Sequence, residues 1–329
     1  MRQLVSSVPY LNPLDKTAHF RLGLLDNFMT FKTILIVGGG LIGSSIARAA
    51  KANDQAETVY ITDNSHSACS AIERLGIADG VSEGQADYFA SQADLVILCV
   101  PPGRMGDVAE KIIPNMKSGA VLSDVGSIKG AVISAVTPFL RDDITFVPAH
   151  PIAGTEYSGP EAGQADMFKD RWCVLTPTKK SLPETKQLKA FWQGLGSQVS
   201  IMTPKRHDIV LATTSHVPHL IAYTLVGTAV DMETVTDNEV VKYSAGGFRD
   251  FTRIAASDPV MWRDVFLSNR EATLEVVDRF IEDLTALKRA IRWEEGETLL
   301  EHFAKTRDIR RRIVDAGQDS AEPNFGRHD

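Results

Sequence analysis

The chain has 329 residues, of which 43% are hydrophobic and 23% charged, with a formal net charge of -7. That length and apolar content suffice for two domains with their own cores. The acidic balance leaves no electrostatic footprint for nucleic acid, and no apolar run is expected to span a bilayer, so a soluble cytoplasmic protein is expected. Cys69, Cys99 and Cys173 are far apart and odd in number, which predicts buried thiols in a reducing compartment rather than a disulfide frame or a zinc site.

The first 28 residues lack the apolar centre and cleavage site of a signal peptide. They carry Pro9 and Pro13, and residues 1–30 are assigned to a disordered extension, or to sequence preceding an initiator at Met29. Residues 31–203 then alternate β-rich runs with helical stretches, the sign of a parallel sheet. Ile34–Val37 is an apolar strand, Leu41–Lys51 a helix rich in small residues, and Thr58–Thr62 a second strand. Asp94–Val100 is a buried strand stopped by Pro101 and Pro102. Val121–Val125, Thr145–Val147 and Trp172–Thr176 are further strands. The pattern changes near Pro204, and residues 204–314 read as an all-α domain. Pro204–Val230 is helical by period, with a kink expected at Pro218. Ser257-Asp258-Pro259 starts another helix. Leu274, Val277, Phe280, Ile281, Leu284, Leu287 and Ile291 then form an apolar stripe, expected to be a buried core that also builds a homodimer interface. Residues 315–329 are polar and expected to be disordered.

Gly38-Gly39-Gly40-Leu41-Ile42-Gly43 directly follows a strand and opens a helix, the context in which such a motif binds a dinucleotide. Gly38 serves the turn, Gly40 the approach of the pyrophosphate, and Gly43 the packing of helix on strand. Leu41 and Ile42 begin the helix whose N-terminus favours an anion. Asp63, at the end of the second strand, is placed to bind ribose hydroxyls and to repel a 2′-phosphate. With Asn64 and Ser65 following, and no arginine, NAD is expected over NADP. Pro101 lies at a strand end that lines the cofactor crevice, though backbone punctuation explains it equally.

The richest stretch runs from Ala149 to Gly159 and holds His150 and Glu156 on one connection. An imidazole can take a proton near neutral pH, so His150 is a candidate base. Glu156 has three open readings: it orients His150, binds substrate, or caps a turn. In Asp124–Gly130, Ser127 either hydrogen-bonds a substrate hydroxyl, the preferred reading, or caps a helix; Lys129 either attracts an anion or, the preferred reading, is a solvated lysine. His216 and His219 are three residues apart and share a face. No third ligand has a recognisable spacing, so no metal is expected; one of the pair should face substrate and the other satisfy local backbone. Arg249 and Arg253 sit in an apolar, glycine-led stretch. One is expected to grip an anionic substrate, unless each is used in a salt bridge such as with Asp250.

Taken together, these blocks resemble the prephenate dehydrogenase family, which includes arogenate and cyclohexadienyl dehydrogenases. The matching stretches are Gly38–Gly43, Asp124–Gly130, His150–Gly159, Ser215–His219, Gly246–Ala255 and Ser257–Asp264, in family order between about Thr33 and Ile291. The resemblance implies a Rossmann-type domain followed by a helical dimerisation domain, and NAD-dependent oxidative decarboxylation of prephenate, or of arogenate, in tyrosine biosynthesis. It implies His150 as the base that takes the ring C4 hydroxyl proton and Ser127 as a hydrogen-bonding partner of that hydroxyl. It further implies His219 as a substrate-site histidine, Arg253 as the ligand of a substrate carboxylate and Trp262 as an aromatic near the pocket. The lengths before and after the matched stretches imply a monofunctional enzyme. Two other readings compete: a β-hydroxyacid-type dehydrogenase, for which Lys242 is the nearest catalytic lysine, and a non-catalytic NAD-sensing regulator.

Overall fold

The structure, a computed structural model, describes residues 30–155, 157–178, 183–233 and 242–315. The extension at 1–29, the tail from 316 onward and Glu156 lie outside the described residues. The first strands are β1 (Phe31–Val37), β2 (Ala56–Asp63), β3 (Gly80–Glu83), β4 (Leu95–Leu98), β5 (Val121–Asp124) and β6 (Thr145–Phe146). They form one parallel sheet in the order β3-β2-β1-β4-β5-β6. Helices α1 (Leu41–Ala52), α2 (His66–Leu75), α3 (Asp87–Gln92), α4 (Met105–Ile112) and α5 (Lys129–Val136) connect them. The apolar strand runs follow from burial on both faces. In β1, Ile34 and Ile36 join Ile46 of α1 and Ile72 of α2 on one side, while Leu35 and Val37 join Ala109 of α4 and Val132 of α5 on the other. Strand order reverses between β1 and β4, which opens a crevice at the carboxyl ends of the strands.

The strand expected over Trp172–Thr176 forms, but not in the parallel sheet. It is β8 (Trp172–Leu175), the centre of a smaller sheet with β7 (Ala149–Pro151) and β9 (Gln198–Ile201). β7 pairs antiparallel to β8, with His150 opposite Val174. A short β7 carried no alternation for the sequence to reveal. Ala149 and Cys173 nevertheless join the same core as Trp192 of α6 (Pro183–Gly194), so this sheet holds His150 against the larger one.

Thr203 caps α7 (Pro204–Leu211), accepting from the Arg206 N–H, and Pro204 occupies the first turn. The single helix expected over Pro204–Val230 is interrupted. Ala212–His216 is π-helical and α8 (Val217–Glu233) continues beyond it. Pro218 has no N–H to give a carbonyl one turn back, and the wide turn immediately before it absorbs the defect. Such π segments concentrate at functional sites.

The run 204–232 is also long and apolar enough to cross a membrane by length and composition. This corrects the expectation that no segment qualifies. Three of its polar residues are drawn into the protein: His207, Asp208 and His216 are buried and hydrogen-bonded.

Beyond it lie α9 (Gly246–Thr252), α10 (Pro259–Ser268), α11 (Arg270–Arg292) and α12 (Gly296–Asp315). α10 starts as its sequence predicts, with Asp258 accepting from the Met261 N–H and Pro259 in the first turn. The stripe on α11 is a single helical face, but it is not core within one chain. Leu274, Ile281, Leu284 and Ile291 are each more than half exposed.

Candidate active site

The segment after β1 turns tightly. Gly38 has φ +104°, and a Cβ there would lie 2.5 Å from the Cys99 carbonyl oxygen. At Gly43 a Cβ would lie 2.0 Å from the Gly38 carbonyl oxygen, so α1 meets the turn backbone to backbone. Gly40 differs: a Cβ there would meet nothing within 4 Å. It is the N-cap of α1 and carries no capping side chain, so the unpaired N–H groups at Leu41 and Ile42 face an open cradle suited to a pyrophosphate. Asp63 shapes the same turn. Its carboxylate accepts from the Gly39 N–H at 2.8 Å and from the Ser65 N–H at 2.8 Å. Each oxygen keeps lone-pair capacity for a ribose hydroxyl. Pro101 is exposed at the end of β4, and its carbonyl accepts from the Arg104 N–H. The residues present therefore fit a dinucleotide.

Next to this crevice, β7 presents His150, which is 8% exposed. Its Nδ1 lies 2.9 Å from Nε2 of His207, and His207 Nδ1 lies 2.8 Å from Oδ1 of Asp208. Asp208 also caps α5 from outside that helix: Lys129 N–H donates to Oδ1 and Gly130 N–H to Oδ2, each at 2.8 Å. Ser127 is therefore not the cap. The N-cap position falls on Ile128, and Ser127 stays half-buried on the loop between β5 and α5.

Lys129 overturns the expectation of a solvated side chain. It is fully buried, with Nζ on Asp124 Oδ2 and on the Ala149 carbonyl oxygen. A desolvated ammonium needs such partners, and here they lock the end of β5 to the strand carrying His150. Burial lowers the Lys129 pKa, with Asp124 opposing.

Burial also holds His150 well below the usual imidazole range, and the nearby Lys129 pushes it the same way. It is therefore neutral, the form a base requires.

A second cluster faces α10. His219 stacks on Trp262 with ring centroids 3.6 Å apart, and His216 meets the same indole edge-on. The two histidines differ in their partners. His219 Nδ1 donates to the Ser215 carbonyl at 2.8 Å, which leaves its Nε2 available. His216 Nδ1 instead accepts from the Asn269 amide at 3.0 Å, and that amide also donates to the Asp208 carbonyl oxygen. The buried indole N–H of Trp262 has no hydrogen-bond partner among the described residues. Arg249 pairs with Asp250 at 3.2 Å. Arg253 is exposed, has no ion pair among the described residues, and adds to burial in lowering the His219 pKa. Lys242 is exposed and lies over the Tyr243 ring, outside this network. Among the described residues, no group of three His, Cys, Asp or Glu side chains is arranged to hold a metal.

Sequence reasoning missed His207, Asp208, Asp124 and Asn269. The helical period from Pro204 covered His207, but nothing local pointed it toward a residue 57 positions earlier.

A parallel sheet with a glycine cradle at its switch point, and a neutral histidine beside it, define a dinucleotide-dependent oxidoreductase with a helical second half. The comparisons narrow that class. The family model for the prephenate dehydrogenase nucleotide-binding domain matches residues 46–201, and that for the prephenate dehydrogenase dimerization domain matches residues 203–305. The cyclohexadienyl dehydrogenase of Zymomonas mobilis is 42% identical over 85% of this chain and 95% of its own length. The prephenate dehydrogenase of Bacillus subtilis is 34% identical over 84% of this chain and 75% of its own. A crystal structure of the A. aeolicus prephenate dehydrogenase, in complex with hydroxyphenyl propionate and NAD+, superposes with a TM-score of 0.80 at 35% identity. It covers 86% of this chain and 98% of that one. The chain belongs to the prephenate dehydrogenase family.

Buried His216 makes stability pH-dependent. Burial depresses His216 from 6.5 to about 4. Between those values the unfolded chain carries a proton that the folded chain does not, so stability falls as pH drops from about 6.5 toward 4. Thermal unfolding followed across that range is expected to show a falling Tm, with a shallower fall in His216→Gln; equal slopes in both proteins would remove His216 as a contributor.

Proposed function

We propose that the protein catalyses NAD-dependent oxidative decarboxylation of prephenate to 4-hydroxyphenylpyruvate, in the cytoplasm and in tyrosine biosynthesis. Arogenate is the candidate second substrate, as the cyclohexadienyl dehydrogenase relative suggests. The observation that carries this reading is a buried neutral His150 beside the glycine cradle, in a chain of this family. Residues 31–203 serve as the cofactor domain and 204–314 as the helical domain.

Gly38, Gly40, Leu41, Ile42 and Gly43 hold the pyrophosphate, and Asp63 holds the ribose and disfavours NADP. A bound NAD would supply the acceptor for the hydride on ring C4. His150 takes the C4 hydroxyl proton, which pushes electron density toward hydride loss, and Ser127 hydrogen-bonds the same oxygen. The C1–carboxylate bond then breaks. Carbon dioxide leaves, its bonding pair completes the aromatic ring, and the proton on His150 returns to the phenolate oxygen. Arg253 grips one substrate carboxylate in a two-pronged fork. His219, Trp262 and Arg249 complete the pocket wall, and Glu156 is its candidate sensor for the side chain of the substrate.

The test is NADH formation by purified protein with prephenate and with arogenate in parallel. Turnover of either is expected, and silence on both with NAD binding intact would favour a different dehydrogenase or an NAD sensor. His150→Asn should lower kcat by about 10²–10⁴-fold, the worth of a positioned base, with little change in KM; near-normal kcat would take His150 out of the chemistry. Arg253→Gln should mainly raise KM, whereas an unchanged KM would assign the carboxylate elsewhere.

The exposed stripe on α11 is assigned to a homodimer interface, in keeping with the dimerization domain of the family. Sedimentation of Ile281→Asp/Leu284→Asp is expected to give a monomer where the unmodified protein gives a dimer. A dimer in both would place the interface on another face.

A further inference from the structure

Behind His150 runs a buried line of three side chains, and its hydrogen-bond polarity can be read from one end. Asp208 is the fixed end. Its carboxylate accepts two backbone N–H groups, from Lys129 and Gly130, and lies 2.8 Å from His207 Nδ1. An ionised carboxylate only accepts, so His207 Nδ1 carries a proton. In a neutral His207 the Nε2 atom is then a bare lone pair, aimed at His150 Nδ1 from 2.9 Å. His207 is fully buried, so nothing else competes for that lone pair. The contact therefore requires a proton on His150 Nδ1, and it leaves the lone pair of His150 on Nε2. The two rings meet edge to edge, with an interplanar angle of 68°. The surrounding charged and titratable groups are Lys129 and Asp124 from the β5–α5 side and His216 from the segment before α8.

We propose that His207 and Asp208 are positioning residues that fix His150 as the Nδ1–H tautomer, turn its Nε2 toward the substrate hydroxyl, and share the positive charge when His150 takes the proton. This rests on the reading of His150 as the base. It adds an Asp-His-His line to that base, in the role the aspartate of a hydrolase triad plays for its histidine. The line crosses from the helical half to the cofactor half, so the base is competent only when both halves are docked. The proton count closes within the site: one proton moves from the substrate oxygen to His150 Nε2, and the same proton returns to the product oxygen.

The tautomer is measurable without turnover. Full-length protein labelled with ¹⁵N-histidine, examined by long-range ¹H–¹⁵N correlation, reports which ring nitrogen holds the proton; His150→Asn assigns the signal. The expected result is a protonated Nδ1 and a bare Nε2 at His150. His207→Phe removes the acceptor and should move His150 toward the Nε2–H form. It should also lower kcat by about 10²–10⁴-fold, with KM changed less than about threefold. His207→Gln keeps an oxygen that accepts from Nδ1 and should restore both the tautomer and most of kcat. A proton on His150 Nε2 in the unmodified protein, as a doubly protonated His207 would impose, overturns the proposal. So does a His207→Phe protein with unchanged tautomer and kcat. If the unmodified protein turns over neither substrate, the activity reading fails, while the tautomer measurement still decides the positioning claim. If His207→Phe does not fold, the unmodified protein and His207→Gln decide it.

Discussion

The carboxylate of Asp208 is the contact on which the site depends. It sits on the first helix of the all-α half, yet two of its three donors are backbone N–H groups at the start of α5 in the parallel half. Helix N-termini leave such groups unpaired, and a carboxylate there also meets the favourable end of the helix dipole. The third donor is His207, which passes the connection on to His150. One side chain thus caps a helix, ties the two halves and, in the proposed mechanism, orients His150. Burial would raise the pKa of Asp208, but its hydrogen bonds outweigh that and hold it below the usual carboxylate value.

The buried Lys129–Asp124 pair complements this from the other side. A buried ion pair is rarely a net gain in stability, so its value lies in placement. Lys129 Nζ reaches both the last residue of β5 and the carbonyl of Ala149, the residue before His150. Asp124 in turn accepts from the N–H groups of Gly126 and Ala149. The loop carrying Ser127 and the strand carrying His150 are therefore held by one shared set of charges.

The parts of this arrangement that sequence revealed are the local ones. Gly38–Gly43 fixes its own turn, so the motif and its flanking strand and helix could be read together. The apolar runs of β1, β4 and β5 announced burial on both faces, and Asp258-Pro259 announced the start of α10. β3, β7 and β9 are four residues or fewer and had no periodicity to read. Lys129 was misread because lysine is ordinarily exposed, and its partners lie across a tertiary contact. The same holds for His207 and Asp208, whose partners are 57 and 79 residues away in sequence. The stripe on α11 showed its period but not its destination, since period alone does not distinguish a core from a surface covered by another chain.

The cap supplied by Asp208 also sets an order of events during synthesis. Chains fold largely from the N-terminal end as they emerge. The parallel sheet and β7 are complete in sequence before residue 208 exists, so the nascent cofactor half holds His150 with neither His207 to align it nor Asp208 to close α5. In the proposed mechanism, a chain ending before α7 has its glycine cradle in sequence but lacks the partners that aim His150. On that mechanism, capture of the nucleotide and readiness for chemistry are separated in time, with the second withheld until the helical half arrives.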